Sequence, residues 1–355
     1  MTNKLKIAVV KSDDYQDLWV SDISSDPFQI LKSTLMRTPQ LGLTELFDTK
    51  FIIVKESNEF PCQLSKDLQG FVPFDKHTKT KKSICTPFLH EEYHNNISVD
   101  SIAHNCDDIE WDQFDIVICI NLCIPARIVN CFNNILWCYY ISENFNNDPN
   151  RMVDVIKPYD IFLNQEAHIQ NYPPNVIGFP YSFLGPDTLT NICINKLNLE
   201  NITKDGIYME INNTTERPVQ NIPEEFMHIA DETNQKINMH YQDILKNLQQ
   251  LYSSKYYVKI LGRPIRGNSI LEAISCHTLV LCNKNKLFHC NLLPDNCHVE
   301  TVEDVINKIK YFDNNPCEYQ DTLNNQRKLL SEYYYFGPTN KLIEQYNNKN
   351  KNLSN

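Results

Sequence analysis

Two arginines, two glycines, an asparagine, a serine and a glutamate lie together in the stretch GRPIRGNSILE (262–272). Glycine is scarce, at 8 in 355 residues, so two of them at one junction ask for a reason. Glycine lets a backbone approach a ligand closely, and Asn or Ser suits the start of a helix. Free amides and the positive dipole end of a helix attract anions, while Arg adds planar forks that fit phosphate oxygens. Gly262, Arg263, Arg266, Gly267, Asn268 and Ser269 are therefore candidate anion ligands. Glu272 falls one turn into the helix, placed to accept hydrogen bonds from sugar hydroxyls. The stretch reads equally as a capped turn with surface arginines, and local chemistry alone leaves both open.

The elements around it must position these groups. In the first half, KIAVV (6–10), FIIV (51–54), DIVICI (115–120), ILWCYYI (135–141), DIFLN (160–164) and NVIGFPY (175–181) are apolar on both faces. Such runs mark strands buried in a parallel sheet between helix layers. Between the first two, SSDPFQILKSTLMRTPQLGLTELF opens like a helix and carries Ile30, Leu31 and Leu35 at helical spacing. Residues 55–110, with the polar KHTKTKK run, are read as a long loop or insertion. A second series holds the strands GIYMEIN (206–212), YYVKIL (256–261) and TLVLCN (278–283), with INMHYQDILKNLQQLY, SILEAISCH and VETVEDVINKIKYF as helices. The tail is read as two helices broken at Phe336-Gly337-Pro338, with residues 348–355 frayed.

This alternation predicts an α/β chain of two Rossmann-like, doubly wound domains facing a cleft. The expected boundaries are 1–185 for the first domain, 186–204 for a hinge, 205–335 for the second and 336–355 for a crossing helix and tail. In the second domain Asn212 and Arg217 close a strand in the polar run EINNTTERP, Lys284 follows a later strand, and Lys259 sits inside one and reads as structural.

Composition narrows the classes. A formal net charge of −11 argues against general nucleic-acid binding, which needs a basic surface. No segment approaches the apolar length of a membrane span, and the N-terminal apolar stretch is too short for a signal peptide, so a cytoplasmic protein is expected. The 13 cysteines are odd in number, lack any C-x-x-C, and fall largely in apolar runs such as Cys119, Cys123, Cys138 and Cys282, the pattern of buried reduced thiols. Richness in Asn, Ile, Lys and Tyr suits an AT-rich genome, that of a large DNA virus or an AT-rich microbe. No Asp-x-Asp, no G-x-G-x-x-G after KIAVV and no G-x-x-x-x-G-K-[ST] occurs. A metal-bridged diphosphate, a nicotinamide site and a P-loop thus lack their anchors, and a cationic cradle with neither metal nor cofactor is expected.

The segment RGNSILEAISCHTLVLCNKN (266–285) resembles the donor-binding region of GT-B glycosyltransferases of the family 1 and family 4 kind. Glu272-Ala273 matches that family's Glu-Ala pair, Ile274 and Ser275 its small apolar spacer, and His277 through Leu281 the strand that follows. The sharp motif covers this segment, while the two-domain order fits most of the chain. The resemblance implies an enzyme, a hexosyl- or pentosyltransferase, that takes a nucleotide-sugar donor and a glycan or glycoprotein acceptor without a metal. It places Asn212 and Arg217 at the diphosphate or sugar, and calls for a general base from the first domain. Asp13 after KIAVVKS and Glu143 after ILWCYYIS are the candidates, with Asp14 and His168 behind them. Tyr139, Tyr140, Phe145, Phe179, Tyr181 and Phe183 gather near strand ends, most of them as core. The family's first acid would fall near Arg266–Asn268, where this chain has none, and His277 stands where a small residue is usual. Those departures keep two alternatives in view: a non-catalytic carbohydrate- or nucleotide-binding protein, and a sugar-nucleotide epimerase of the same fold.

Overall fold

Strands apolar on both faces need a helix layer on each side, and the chain supplies them. A computed structural model describes residues 4–12, 28, 42–55, 103–120, 124–141, 159–164, 176–179, 184–209, 222–240, 244–260, 268–287 and 290–354. Among these the strands are β1 Lys6–Ser12, β2 Asp48–Val54, β3 Ala103–His104, β4 Ile116–Ile120, β5 Leu136–Ile141 and β6 Ile161–Asn164. They continue with β7 Val176–Gly178, β8 Ile207–Met209, β9 Ile237–Asn238, β10 Tyr256–Lys259 and β11 Leu279–Cys282. The helices are α1 Leu43–Leu46, α2 Ala126–Cys131, α3 Pro186–Asn195, α4 Glu224–Thr233 and α5 Ile244–Ser253. After them come α6 Asn268–Ser275, α7 Val302–Asn314, α8 Pro316–Leu330 and α9 Gly337–Ser354.

The chain divides into two compact units, Met1–Phe183 with Phe336–Asn355, and Leu184–Tyr335. The first holds a parallel sheet in the order β3-β2-β1-β4-β5-β6-β7. That is the doubly wound order, and its direction reverses between β1 and β4. Alternate residues feed two cores, one per face. Ala8, Val10, Val117, Cys119, Trp137 and Tyr139 join Trp111 on one side. Ile7, Val9, Ile116, Ile118, Cys138 and Tyr140 join Leu342 of α9 on the other. Both buried indoles have acceptors: Trp111 donates to the Cys106 carbonyl at 3.0 Å, and Trp137 to that of Phe132 at 3.0 Å. The last helix is bound into this unit by more than apolar contact. Tyr346 donates to Asp115 at 2.8 Å, and the Lys349 ammonium reaches Asp160 at 2.6 Å and the Ile135 carbonyl at 2.7 Å. Helix therefore continues through Ser354 where fraying was expected, because Lys349 is anchored.

The second unit holds a parallel sheet in the order β11-β10-β8-β9, reversing between β8 and β10. The expected α/β class of doubly wound parallel sheets is what both units show. Tyr256 turns its hydroxyl to Asp313 of α7 at 2.7 Å, while Tyr257 turns to the opposite face, toward α6. The outer edge of β11 is closed by a side chain and a short backbone bridge, in which the Val299 amide donates to the Cys282 carbonyl at 3.3 Å. Gln326 of α8 accepts from the Val280 amide at 3.1 Å and donates to its carbonyl at 2.9 Å, standing in for a further strand.

Four details differ from the sequence reading. Residues 186–195, expected as part of a hinge, form α3 within the second unit, because Pro186 opens a helix whose Leu189, Ile192 and Cys193 are buried on one face. The run from Ile237, read as wholly helical, begins with the short edge strand β9, and its helix starts only at Ile244. Part of the expected irregular region, 103–110, contains β3 and a 3₁₀ turn at Cys106–Asp108. Finally, the break at Phe336-Gly337-Pro338 is a π-helical turn over Ser331–Phe336, after which α9 starts at Gly337.

Candidate functional site

In an open parallel sheet, ligands bind beyond the carboxyl ends of the strands where the strand order reverses. In the second unit that point lies between β8 and β10. The segment carrying Asn212 and Arg217 leaves β8, and the segment carrying Gly262, Arg263, Arg266 and Gly267 leaves β10. Those six residues lie outside the described residues, but both strands from which they depart flank the reversal.

Beneath this corner the sheet is unusually polar for a core. Tyr208 and Tyr257 are partners in register, with rings stacked at 5.4 Å and both fully buried. The Tyr208 hydroxyl donates to Asn247 Oδ1 at 2.9 Å and lies 2.5 Å from Nδ1 of His240. The Tyr257 hydroxyl lies 3.3 Å from Oγ of Ser269. Ser269 was expected as a helix cap; it sits inside the first turn of α6, and its hydroxyl faces the sheet. Lys259 comes two residues after Tyr257 and so shares its face; it is fully buried, as a structural residue would be.

Helix α6 is buried from Ser269 to its carboxyl end. Ile270, Leu271, Ala273 and Ile274 are at most 1% exposed, and Glu272, on the same turn, is 1% exposed. Burial of Ile270, Leu271 and Ile274 contributes about 5–8 kcal/mol of gross stabilisation, which fixes the helix axis. Its carboxyl end is crowded with donors. Arg327 and Thr190 each reach the Ser275 carbonyl at 2.7 Å, and the Lys204 ammonium reaches that of Cys276 at 2.7 Å. Arg327 also pairs with Asp187 at 2.9 Å. Two cations thus offset the negative end of the helix dipole, while the positive end opens onto the arginine-bearing segment.

His277 terminates α6 with φ 56°, the left-handed conformation in which glycine is usual. Its amide and that of Thr278 turn back to the carbonyls of Ile274 at 3.1 Å and Ala273 at 2.8 Å, closing the last turn. This explains why the resemblance puts a small residue near this position. Burial first, then the Arg327 and Lys204 cations, lower the His277 pKa to about 4, with Asp187 acting in the opposite direction. Burial likewise lowers Lys204 to about 8.

In the first unit, Asp13 directly follows β1, one of the two strands at the reversal, and Glu143 follows β5. Both lie outside the described residues, as do Asp14, His168, Phe145, Tyr181 and Phe183. Tyr139, Tyr140 and Phe179 are buried core. Asn268 begins α6. Lys284 pairs with Asp295 at 2.6 Å. A pocket of about 280 Å³ is lined by His298, Asp304, Asn307, Lys308 and Tyr311, but its carboxylate is engaged in capping α7 through the Thr301 and Glu300 amides. Among the described residues no cluster of His, Cys, Asp and Glu is arranged to hold a metal ion, and no helix is long and apolar enough to cross a membrane. Sequence reasoning missed the Tyr208–Tyr257 pair with His240 and Asn247. Each tyrosine stands just before a candidate segment, but their adjacency depends on strand order.

No family model matches the chain. No curated protein matches it either. Solved structures do. The N-terminal domain of Candida albicans trehalose-6-phosphate phosphatase matches over 98% of this chain and 97% of that one, at 9% identity and a TM-score of 0.52. T4 phage β-glucosyltransferase matches over 98% and 99%, at 11% identity and a TM-score of 0.38. S. aureus TarM in complex with UDP matches over 65% of this chain at 16% identity and a TM-score of 0.39, and the chain spans 55% of that protein. The similarity to the Candida domain is one of fold.

Proposed function

We propose that this chain is a glycosyltransferase that moves a hexosyl or pentosyl group from a nucleotide-sugar donor to a glycan or glycoprotein acceptor, without a metal ion. One observation carries the reading: α6 opens at the strand reversal of the second unit, directly after the segment that holds Arg263 and Arg266. A diphosphate there meets main-chain amides, a helix dipole whose far end is already offset by cations, and two guanidinium forks. These groups stabilise the negative charge that grows on the leaving diphosphate, the part a metal ion plays in other sites. Gly262 and Gly267 admit the phosphates to the backbone, Asn268 and Ser269 present the helix start, and Asn212 and Arg217 approach from the segment after β8. A general base then takes the proton of the acceptor hydroxyl. Strand order supports Asp13 over Glu143, since β1 flanks the reversal in its sheet and β5 does not.

The test is a panel of nucleoside diphosphates and their sugars, read by thermal unfolding and by release of free diphosphate. A ligand at 100 times its dissociation constant adds about 2.7 kcal/mol of stability. Stabilisation by one nucleotide, with slow diphosphate release that Asp13→Asn abolishes, supports the enzyme. Stabilisation without turnover supports the binding protein instead. No response to any nucleotide removes the enzyme and leaves a carbohydrate-binding or structural protein.

A further inference from the structure

Cys193 lies on the buried face of α3, and Cys276 directly follows α6. Both are fully buried, and their sulfur atoms are 3.8 Å apart although the residues are 83 positions apart in sequence. The spacing of the two helices is set independently of the sulfurs. Thr190 of α3 donates to the Ser275 carbonyl at 2.7 Å, and Arg327 joins Asp187 to that same carbonyl. A disulfide needs about 2.05 Å between sulfurs, so small side-chain rotations close the gap with the helices in place. The Lys204 ammonium, 2.7 Å from the Cys276 carbonyl, supplies a neighbouring positive charge.

We propose that Cys193 and Cys276 are a redox modification site, forming a reversible disulfide that ties α3 to the carboxyl end of α6 when a hydroperoxide is present. The Cys276 thiolate attacks one peroxide oxygen, the O–O bond breaks, and hydroxide leaves and is protonated to water. The Cys193 thiolate then attacks the resulting sulfenic sulfur, the S–O bond breaks, and a second water forms. Two thiols and one hydrogen peroxide give one disulfide and two waters, with two electrons passing from sulfur to oxygen. A water-sized oxidant suits a site closed to larger disulfides. The hydrogen bond with Cys193, together with burial, raises the Cys276 thiol well above its ordinary value. Oxidation is therefore slow at neutral pH and faster in alkali.

The experiment uses the full reduced chain, exposed to hydrogen peroxide at pH 7.5 and pH 9. Remaining thiols are then alkylated in denaturant, and peptides are mapped by mass spectrometry without reduction. The expected product is a Cys193–Cys276 cross-linked peptide, lighter by two hydrogens, lost on reduction and formed faster at pH 9. Closing so long a loop also raises the thermal midpoint by several degrees, on the order of 5 °C. In Cys193→Ala the midpoint does not rise, and a sulfenic acid is trapped at Cys276. Recovery of both residues as alkylated thiols while the exposed Cys131 and Cys317 are oxidised would overturn the proposal. So would cross-links from either residue to other cysteines. The peptide map of the unaltered chain decides the matter even if the variant does not fold, and it does not depend on donor binding.

Discussion

Acid should weaken the second unit through His277, and the size of the effect follows from its surroundings. The folded chain holds this imidazole at a pKa of about 4, because burial and the Arg327 and Lys204 cations disfavour its charged form more than Asp187 favours it. The unfolded chain titrates it near 6.5. Between those values the unfolded state binds the extra proton, so stability rises with pH across the window. The contribution is complete above pH 6.5 and is lost as pH falls toward 4. The two values correspond to about 3 kcal/mol for a fully enclosed group. His277 is partly exposed, and solvent screening brings the expectation to about 1–2 kcal/mol. His277→Asn removes the titration and keeps a residue that tolerates the left-handed conformation at φ 56°. Urea unfolding of both proteins, at pH 7.5 and pH 4.5, cancels the titrations they share. Similar stabilities are expected at pH 7.5, with the Asn variant ahead by about 1–2 kcal/mol at pH 4.5. A gap that stays constant between the two pH values, or one that favours the wild type in acid, would refute the reasoning.

Two further substitutions probe the scaffold under the site. Gln326→Leu deprives the buried Val280 amide and carbonyl of their partner, and should cost about 2–4 kcal/mol in urea unfolding with the fold otherwise retained. Gly206→Ala, at the entry to β8, places a methyl 2.5 Å from the Lys236 carbonyl oxygen at φ +82°, and should lower stability by about 2–4 kcal/mol.

The interior of each sheet was legible because its strands are apolar on both faces, as in IVICI of β4 and LVLC of β11. The edge strands β3 and β9 were not. Each has only two residues, too few for a period to show, and each is defined by its neighbour's hydrogen bonds. The helix α3 was hidden for another reason. Its PDTLTNICIN is polar enough to pass for a linker, and its buried stripe has meaning only against α6. The junction at 262–272 stood out through its glycines and arginines. What the sequence could not show is that it leaves a strand at the reversal of order, since that depends on pairing between β8 and β10, far apart along the chain. The stacked Tyr208 and Tyr257 were invisible for the same reason.

The proposed glycosyl transfer depends on a nucleotide's diphosphate being held at the start of α6 by cationic side chains and main-chain amides. Calorimetric titration of nucleoside diphosphates into the chain, with a chelator present, tests it directly. Binding of at least one of them should persist with chelator, and Arg263→Ala or Arg266→Ala should each weaken it on the order of 10- to 100-fold. No measurable binding, or binding that vanishes with chelator and ignores both arginines, would contradict it.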